Sequence, residues 1–273
     1  MLKRCVTGAV GIGLTAFFIT MGGYFFFFAV CFLAVTAWRE YDDAFKNVDL
    51  PVQKTMGLIV ISLLLCVTQV NGVMGALGAT MLGTLILFLG ALIYFEKGGF
   101  NAASVSVAGF IYIGLAFSHL LLLRAYQPES IIHTFIGDFT MGEAMLWLMF
   151  IGTWASDSFA YFVGSKMGRQ LLCENISPKK TVEGFVGAVI GTTLVVFLIG
   201  HFFFGFNFLL MTPLGIALSI FGSLGDLVES SLKRYVNIKD SGRLFPGHGG
   251  VLDRFDSVLF NAPLAYYYAL FVM

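Results

Sequence analysis

The residues best suited to chemistry lie in one stretch near the C-terminus. Residues 226–256 contain five acidic and five basic side chains, and the turn-forming residues Pro246, Gly247, Gly249 and Gly250 lie among them. Carboxylates bind hard cations such as Mg²⁺, lysine and arginine bind phosphate, and glycines let backbone amides approach a ligand closely. This stretch therefore predicts a site for a phosphorylated substrate and a divalent cation.

The spacing of these residues indicates how they are presented. On a helix Asp226, Glu229, Ser230 and Lys233 fall at i, i+3, i+4 and i+7, which places them on one face. The preceding residues 209–224 are almost wholly apolar, so the polar face begins where an apolar helix ends. Asp253 and Asp256 lie three residues apart at the start of the next apolar segment, where helix capping is an alternative to metal binding.

A second polar segment reads Ser177-Pro178-Lys179-Lys180-Thr181. Serine followed by proline is typical of the N-cap and first position of a helix, so we predict that a helix begins here with two lysines in its first turn. Such lysines oppose the helix dipole unless an anion is bound. A basic segment that meets anionic lipid headgroups is an equally good interpretation.

One carboxylate lies inside an apolar segment. Asp157, within residues 153–161, costs about 2.5–3.5 kcal/mol to place in hydrocarbon, and such residues are usually functional. It lies about two turns before Gly164, so we expect it near the membrane surface, within reach of the same site. A hydrogen bond between helices is the alternative.

The composition shows what must position these residues. The chain of 273 residues is 58% apolar and 12% charged, with a mean hydropathy of +0.87. A soluble domain is about 45–50% apolar and about 25% charged, so a water-soluble globule is excluded, as is a disordered chain. The net charge is zero, so the sequence has no excess of basic residues that would indicate nucleic-acid binding. The four cysteines lack metal-binding spacing and are expected to be packing residues.

The apolar residues form nine segments, each near the length of a membrane crossing. They cover residues 5–20, 23–38, 56–71, 73–94, 102–123, 142–164, 183–205, 207–224 and 256–273, with the first two divided at Gly22-Gly23. Nine crossings put every lysine and arginine except Arg124 on one side, and the positive-inside rule makes that side cytoplasmic. We therefore predict a cytoplasmic N-terminus and a C-terminus outside.

The predicted fold is an all-α polytopic membrane helix bundle, because runs of this length are too long for the strands of a membrane barrel. We expect one membrane domain over residues 1–273, with scaffold helices in 1–141 and a catalytic half in 142–273. Gly187 and Gly191 form a GxxxG pattern, which predicts close helix packing within the chain or, as the less favoured alternative, a dimer seam.

At Ser230–Asp256 the sequence resembles the signature of the CDP-diacylglycerol synthases, also called phosphatidate cytidylyltransferases. The matching positions are Ser230, Lys233, Arg234, Lys239, Asp240, Pro246, His248, Gly249, Gly250, Asp253, Arg254 and Asp256. Three further features are similar to the family: Asp157 with Ala160, Tyr161 and Gly164; Ser177–Thr181 leading to Glu183-Gly184; and Gly225-Asp226. Val182 departs from the tryptophan that the family often has there.

The resemblance implies the transfer of CMP from CTP to phosphatidic acid, which gives CDP-diacylglycerol and pyrophosphate. It implies that the catalytic residues are Asp226, Lys233, Asp253, Asp256 and His248. It implies that the substrates or their phosphates are bound by Ser177, Lys179, Lys180, Thr181, Glu183, Ser230, Arg234, Lys239, Asp240, Gly249, Gly250 and Arg254. The expected cofactor is Mg²⁺, held by Asp226 and Asp253 with Asp256 and Asp157 as second candidates, and a second cation is compatible with this chemistry.

The expected partners are CTP and phosphatidic acid in the bilayer, with no nucleic acid, and a homodimer is compatible with the sequence. The expected location is a bacterial cytoplasmic membrane, with the active site on the cytoplasmic side. Two other classes of protein stay open. A CTP-dependent lipid kinase or another polytopic lipid phosphotransferase has similar needs, and a transporter would be expected to carry charges near the middle of several spans.

Overall fold

Helices account for most of the protein in a computed structural model, which describes residues 2–245, 247 and 249–273 and the side chains from residue 6 onward among them. His248, predicted to be catalytic, lies outside the described residues. The helices are α1 Leu2–Met21, α2 Gly23–Phe45, α3 Lys54–Ile93, α4 Gly99–Gly109, α5 Ala116–Arg124, α6 Met141–Met167, α7 Val182–Leu198, α8 Phe208–Tyr235 and α9 Leu252–Val272. A π-helical segment, Phe110–Leu115, joins α4 to α5, and another, Ile199–Phe203, extends α7.

The predicted apolar segments fall on these helices, and two glycines separate neighbouring segments. Gly22 lies between α1 and α2 with φ 57° and ψ −151°, and Gly72 breaks α3 with φ 57° and ψ −139°. Only glycine adopts this region without strain. A Cβ placed on Gly75 would lie 2.5 Å from the carbonyl oxygen of Val67. Residues eight apart in a straight helix are separated by about 12 Å, so α3 folds back at Gly72 into two halves.

Five helical segments of the described chain are long and apolar enough to cross a membrane. They are Gly23–Val48, Lys54–Ile93, Gly99–Arg124, Val182–Phe203 and Phe208–Tyr235. A shorter apolar helix covers Val6–Met21. The protein is therefore a mostly helical protein suited to a membrane, as the composition predicted.

Two short hairpins accompany the helices, and the protein is mostly helical, as predicted. Ile131–Thr134 (β1) pairs with Gly137–Thr140 (β2), and Leu171–Cys173 (β3) pairs with Ser177–Thr181 (β4), each as an antiparallel hairpin. Strands of three to five residues are too short for their alternation of apolar and polar residues to be recognised in the sequence. Both hairpins lie between helices.

The chain divides into two units. The first comprises Met1–Leu122 and Leu232–Phe255, and the second comprises Leu123–Ser231 and Asp256–Met273. Both boundaries in the C-terminal part fall inside helices, within α8 and within α9. In the first unit the buried Trp38 donates a hydrogen bond from Nε1 to the Lys54 carbonyl oxygen (3.0 Å) and lies against Gly57.

Glycines explain the packing of α6 against α7 in the second unit. A Cβ on Gly187 would overlap Val163, and one on Gly191 would overlap the ring of Phe159. A Cβ on Gly184 would lie 2.9 Å from the carbonyl oxygen of Ala160. The GxxxG pattern is thus used inside the chain, as the favoured interpretation predicted.

Candidate functional site

The second unit gathers acidic side chains from three helices. Asp256 in the first turns of α9 is half-buried, and it interacts electrostatically with Asp226 and Glu229 of α8 and with Asp157 of α6. Glu229 is 1% exposed. Like charges in a partly desolvated region repel one another, and a cation bound beside them would relieve this repulsion. Three of the four predicted metal ligands, Asp157, Asp226 and Asp256, therefore belong to one group.

The close approach of α8 and α9 depends on glycine. A Cβ on Gly225 would lie 2.5 Å from the carbonyl oxygen of Asp256. One turn earlier, the Ser257 hydroxyl donates to the carbonyl oxygen of Gly222 at 2.9 Å. Small residues at this contact let the helix backbones come together, and this brings the carboxylates of Asp226 and Asp256 into each other's field.

A lysine from a hairpin reaches the same cluster. Lys180 Nζ lies 2.6 Å from Asp226 Oδ2, and the Ser230 hydroxyl donates to Asp226 Oδ1 at 3.2 Å. The bond between Ser230 and Asp226 shows that the predicted polar face of α8 forms as the helical spacing requires. Asp226 is only partly exposed, so its ion pair is more significant than a pair on an open surface.

The prediction that Ser177 begins a helix is wrong. Ser177–Thr181 is strand β4, and α7 begins at Val182 with Thr181 as its N-cap, whose hydroxyl oxygen accepts from Gly184 N at 3.1 Å. Proline is tolerated here because a two-stranded sheet consists of edges. Since side chains alternate along a strand, Lys180 reaches Asp226 while Lys179 is exposed.

Glu183 organises the connection between α6 and β3. Its Oε2 accepts hydrogen bonds from the backbone N–H groups of Arg169 (3.0 Å) and Gln170 (3.2 Å). The geometry therefore gives Glu183, predicted to contact substrate, a role in holding the segment that precedes the Lys180 hairpin.

In the first unit Asp253 is buried and its carboxylate is surrounded by donors. Oδ1 lies 2.8 Å from Lys233 Nζ, and Oδ2 accepts from Ser241 N (2.7 Å), Ser241 Oγ (2.9 Å) and Gly250 N (2.8 Å). Burial opposes ionisation of Asp253, but the hydrogen bonds from Gly250, Lys233 and Ser241 outweigh it and lower the pKa of the carboxyl group. The bond to Gly250 N is the capping contact that the sequence left open as an alternative.

A carboxylate that the sequence reasoning missed lies beside this group. Glu40, near the end of α2, is 7% exposed. Its Oε1 accepts from Val251 N at 2.9 Å, and its Oε2 accepts from Leu252 N at 3.0 Å and from Ser241 Oγ at 3.3 Å. A Cβ on Gly242 or Gly250 would overlap the Glu40 carboxylate, so both glycines make room for it.

The other predicted residues of the C-terminal loop are mostly on the surface. Arg234, Lys239, Asp240 and Arg254 are exposed. Gly249 has φ 85°, a value that favours glycine, and a Cβ there would overlap the Asp253 carboxylate. These basic side chains therefore lie on the surface beside a glycine-rich turn.

The described residues contain no group of three or more Asp, Glu, His or Cys side chains arranged to hold a metal ion. Mg²⁺ commonly takes only one or two carboxylates and completes its coordination with waters and substrate phosphates. The carboxylates of Asp226 and Asp256 fit a Mg²⁺ ion that is bound in this way. They do not form a site in which every ligand comes from the protein.

Helices suited to a membrane, together with lysines and carboxylates gathered around glycine-rich contacts, define a membrane protein that handles a phosphorylated ligand. The chain belongs to the cytidylyltransferase family, whose sequence model matches residues 2–272.

Curated relatives agree with this assignment. A phosphatidate cytidylyltransferase of Synechocystis sp. is 34% identical over 291 residues, which cover 99% of this chain and 97% of the relative. A phosphatidate cytidylyltransferase of Bacillus subtilis is 41% identical over 160 residues, 58% of this chain and 54% of the relative. One of Staphylococcus haemolyticus is 39% identical over 171 residues, 62% of this chain and 60% of the relative.

Proposed function

We propose that this protein is a phosphatidate cytidylyltransferase. It transfers CMP from CTP to phosphatidic acid and forms CDP-diacylglycerol and pyrophosphate. The observation that carries this conclusion is the relative from Synechocystis sp., which bears that name and matches 99% of the chain. The helices suited to a membrane account for the lipid substrate, and the polar residues account for the nucleotide.

The reaction is an in-line displacement at phosphorus. A phosphate oxygen of phosphatidic acid attacks the α-phosphorus of CTP, a new P–O bond forms, and the bond to the β-phosphate oxygen breaks to release pyrophosphate. The attacking oxygen is already ionised near pH 7, so the protein needs no strong general base. Its task is to position two anions and to neutralise their charge.

The two lysine–carboxylate pairs suggest how the phosphates are received. Lys180 pairs with Asp226 in the second unit, and Lys233 pairs with Asp253 in the first. Phosphate oxygens compete with each carboxylate for its lysine, and each carboxylate is then available to a cation. Further contacts are assigned to Ser177, Lys179, Ser230, Arg234, Lys239 and Arg254.

Mg²⁺ is the proposed cofactor. Within the second unit the proposed ligands are Asp226 and Asp256, with Asp157 as ligand or support. Asp253 is a separate candidate ligand in the first unit. When bound, the ion supplies charge neutralisation at the phosphates. Asp256 and Asp226 support this proposal because they interact across the close contact at Gly225.

The proposed topology has nine spans in a bacterial cytoplasmic membrane, with the active site and N-terminus cytoplasmic and the C-terminus outside. The break of α3 at Gly72 supports two spans there. A reporter fused after Met273 is expected to be active outside the cytoplasm. A reporter that is active only in the cytoplasm would contradict this topology.

Purified protein in mixed micelles with phosphatidic acid, Mg²⁺ and CTP tests the function. With label in the α-phosphate, the label is expected in the lipid product as CDP-diacylglycerol, and excess chelator is expected to stop the reaction. A CTP-dependent lipid kinase would instead transfer label from the γ-phosphate. Label in the lipid from the γ-position alone refutes the proposed function, and turnover in excess chelator refutes the role of Mg²⁺.

A further inference from the structure

Glu40 lies outside every motif, yet it holds the start of the last helix. Of the described hydrogen bonds, three reach its carboxylate, two from the backbone N–H groups of Val251 and Leu252 and one from the Ser241 hydroxyl. The sequence separation to Val251 is 211 residues. Residues at the start of α9 lack a capping side chain of the usual kind, because Gly250 and Val251 precede Leu252, and Glu40 supplies the missing acceptor.

Ser241 connects Glu40 to Asp253, because its single hydroxyl proton is within reach of both carboxylates and its backbone N–H donates to Asp253. Ser241 Oγ lies 3.3 Å from Glu40 Oε2 and 2.9 Å from Asp253 Oδ2, while Ser241 N donates to the same Asp253 oxygen at 2.7 Å. Asp253 in turn binds Lys233. A continuous set of hydrogen bonds thus extends from α2 through Ser241 to the Asp253–Lys233 pair, and Glu40 also holds the backbone of Val251 and Leu252.

The surroundings of Glu40 are shaped for a carboxylate. Gly242 and Gly250 each lie so close to it that a Cβ would overlap its carboxylate atoms. Both carboxylate oxygens accept from N–H or O–H donors, an arrangement that an amide cannot reproduce because its NH₂ group would face a donor. The site therefore requires the charge and the two acceptor oxygens of Glu40, and an uncharged side chain of the same volume does not replace it.

We propose that Glu40 is a positioning residue for the cytidylyltransferase reaction, which holds Ser241, Val251 and Leu252 in place. It thereby sets the orientation of Asp253 and Lys233. The inference rests on the proposed function. Glu40 acts through backbone amides and Ser241, and its role is to keep the Asp253–Lys233 pair aligned for substrate phosphate. Small displacements of catalytic groups are sufficient to cause large losses of rate.

The test compares Glu40→Gln with Asp42→Asn. Asp42 is a matched control because it lies two residues further along the same helix, is 4% exposed, and pairs with Lys46 and Lys54 rather than with the loop. Glu40→Gln is expected to lower kcat at least about tenfold, with a smaller change in KM for CTP. Asp42→Asn is expected to keep kcat within about twofold of the unmodified protein, since its ion pairs do not reach the loop.

Limited trypsin digestion gives a readout that does not depend on activity. Arg243 in the loop and Arg169 in the segment held by Glu183 are both exposed. Glu40→Gln is expected to speed cleavage after Arg243 by at least about fivefold relative to cleavage after Arg169, because local opening exposes only the released segment. A variant that is merely destabilised would speed both cleavages together, and this result would overturn the proposal.

A double-mutant cycle with Ser241→Ala completes the test. Because Glu40 and Asp253 share the Ser241 hydroxyl, the losses of kcat from Glu40→Gln and Ser241→Ala are expected to be less than multiplicative in the double variant. Multiplicative losses, or an unchanged kcat in Glu40→Gln, would overturn the positioning role. If the unmodified protein itself transfers no CMP, the proposed function fails instead, and the two failures are thereby distinguished.

Discussion

Replacement of Asp226 by asparagine is expected to lower turnover by at least about 100-fold, the scale for loss of a major electrostatic contact. The carboxylate of Asp226 pairs with Lys180 and accepts from Ser230. Asparagine preserves the shape but removes the charge that balances Lys180 and that would hold the cation. The loss should appear mainly in kcat, measured as CDP-diacylglycerol formed from CTP and phosphatidic acid.

The control for this variant is Asp43→Asn. Asp43 pairs with Lys46 but is largely exposed, with 64% of its side chain accessible, so the same chemical change there should leave turnover within about twofold. If Asp226→Asn retained near-normal turnover while Asp43→Asn did the same, Asp226 would have no place among the metal ligands.

Asp253→Asn is expected to cause a loss of similar size, at least about 100-fold, for a partly different reason. Four donors surround the Asp253 carboxylate, and an amide NH₂ would face at least one of them. Breaking a buried, hydrogen-bonded charge pair also leaves Lys233 without its counterion. Turnover should fall, and thermal stability in detergent should fall with it.

The effect of Asp253→Asn on thermal stability should depend on pH, because only the ionised Asp253 carboxylate is stabilised by its donors. Its folded pKa is lowered despite burial, because hydrogen bonds from Gly250, Lys233 and Ser241 favour the charged form. The stabilisation is therefore present above the unfolded pKa of about 3.9 and is lost as the pH falls through the lower folded value. Near neutral pH the unmodified protein should have an ionised Asp253, and the difference in melting temperature between it and Asp253→Asn should shrink under strongly acidic conditions. An equal difference at both pH values would contradict this account.

The sequence predicted the elements that depend on local pattern. Long apolar runs identified the helices, and the spacing of Asp226 and Ser230 on one face of α8 is confirmed by their hydrogen bond. The glycine pattern of α7 predicted close helix packing within the chain, and the structure shows that the partner is α6. Each of these features follows from composition or periodicity within about twenty residues, the length of one membrane-spanning helix.

The features that could not be predicted depend on partners far apart in the chain. Glu40 binds backbone amides 211 and 212 residues away, and backbone amides have no signature in the sequence. One signal was present: Gly250 and Val251, which precede α9, have no side-chain acceptor for its first N–H groups, and this indicates an acceptor from elsewhere in the chain. The prediction that a helix begins at Ser177 failed for a different reason. Serine and proline favour the start of a helix, but an edge strand also accepts them.

The reversal of α3 at Gly72 has a consequence for how the chain enters a bilayer. No charged residue occurs between Lys54 and Phe95, and the only residue in the described chain that breaks the helical backbone between Lys54 and Ile93 is this glycine. Because no charged loop joins the two halves of α3, no charged segment has to cross the bilayer before the second half inserts. We therefore expect both arms to insert together as one preassembled unit during biogenesis, so that lengthening this bend with charged residues would disturb membrane integration before it disturbed catalysis.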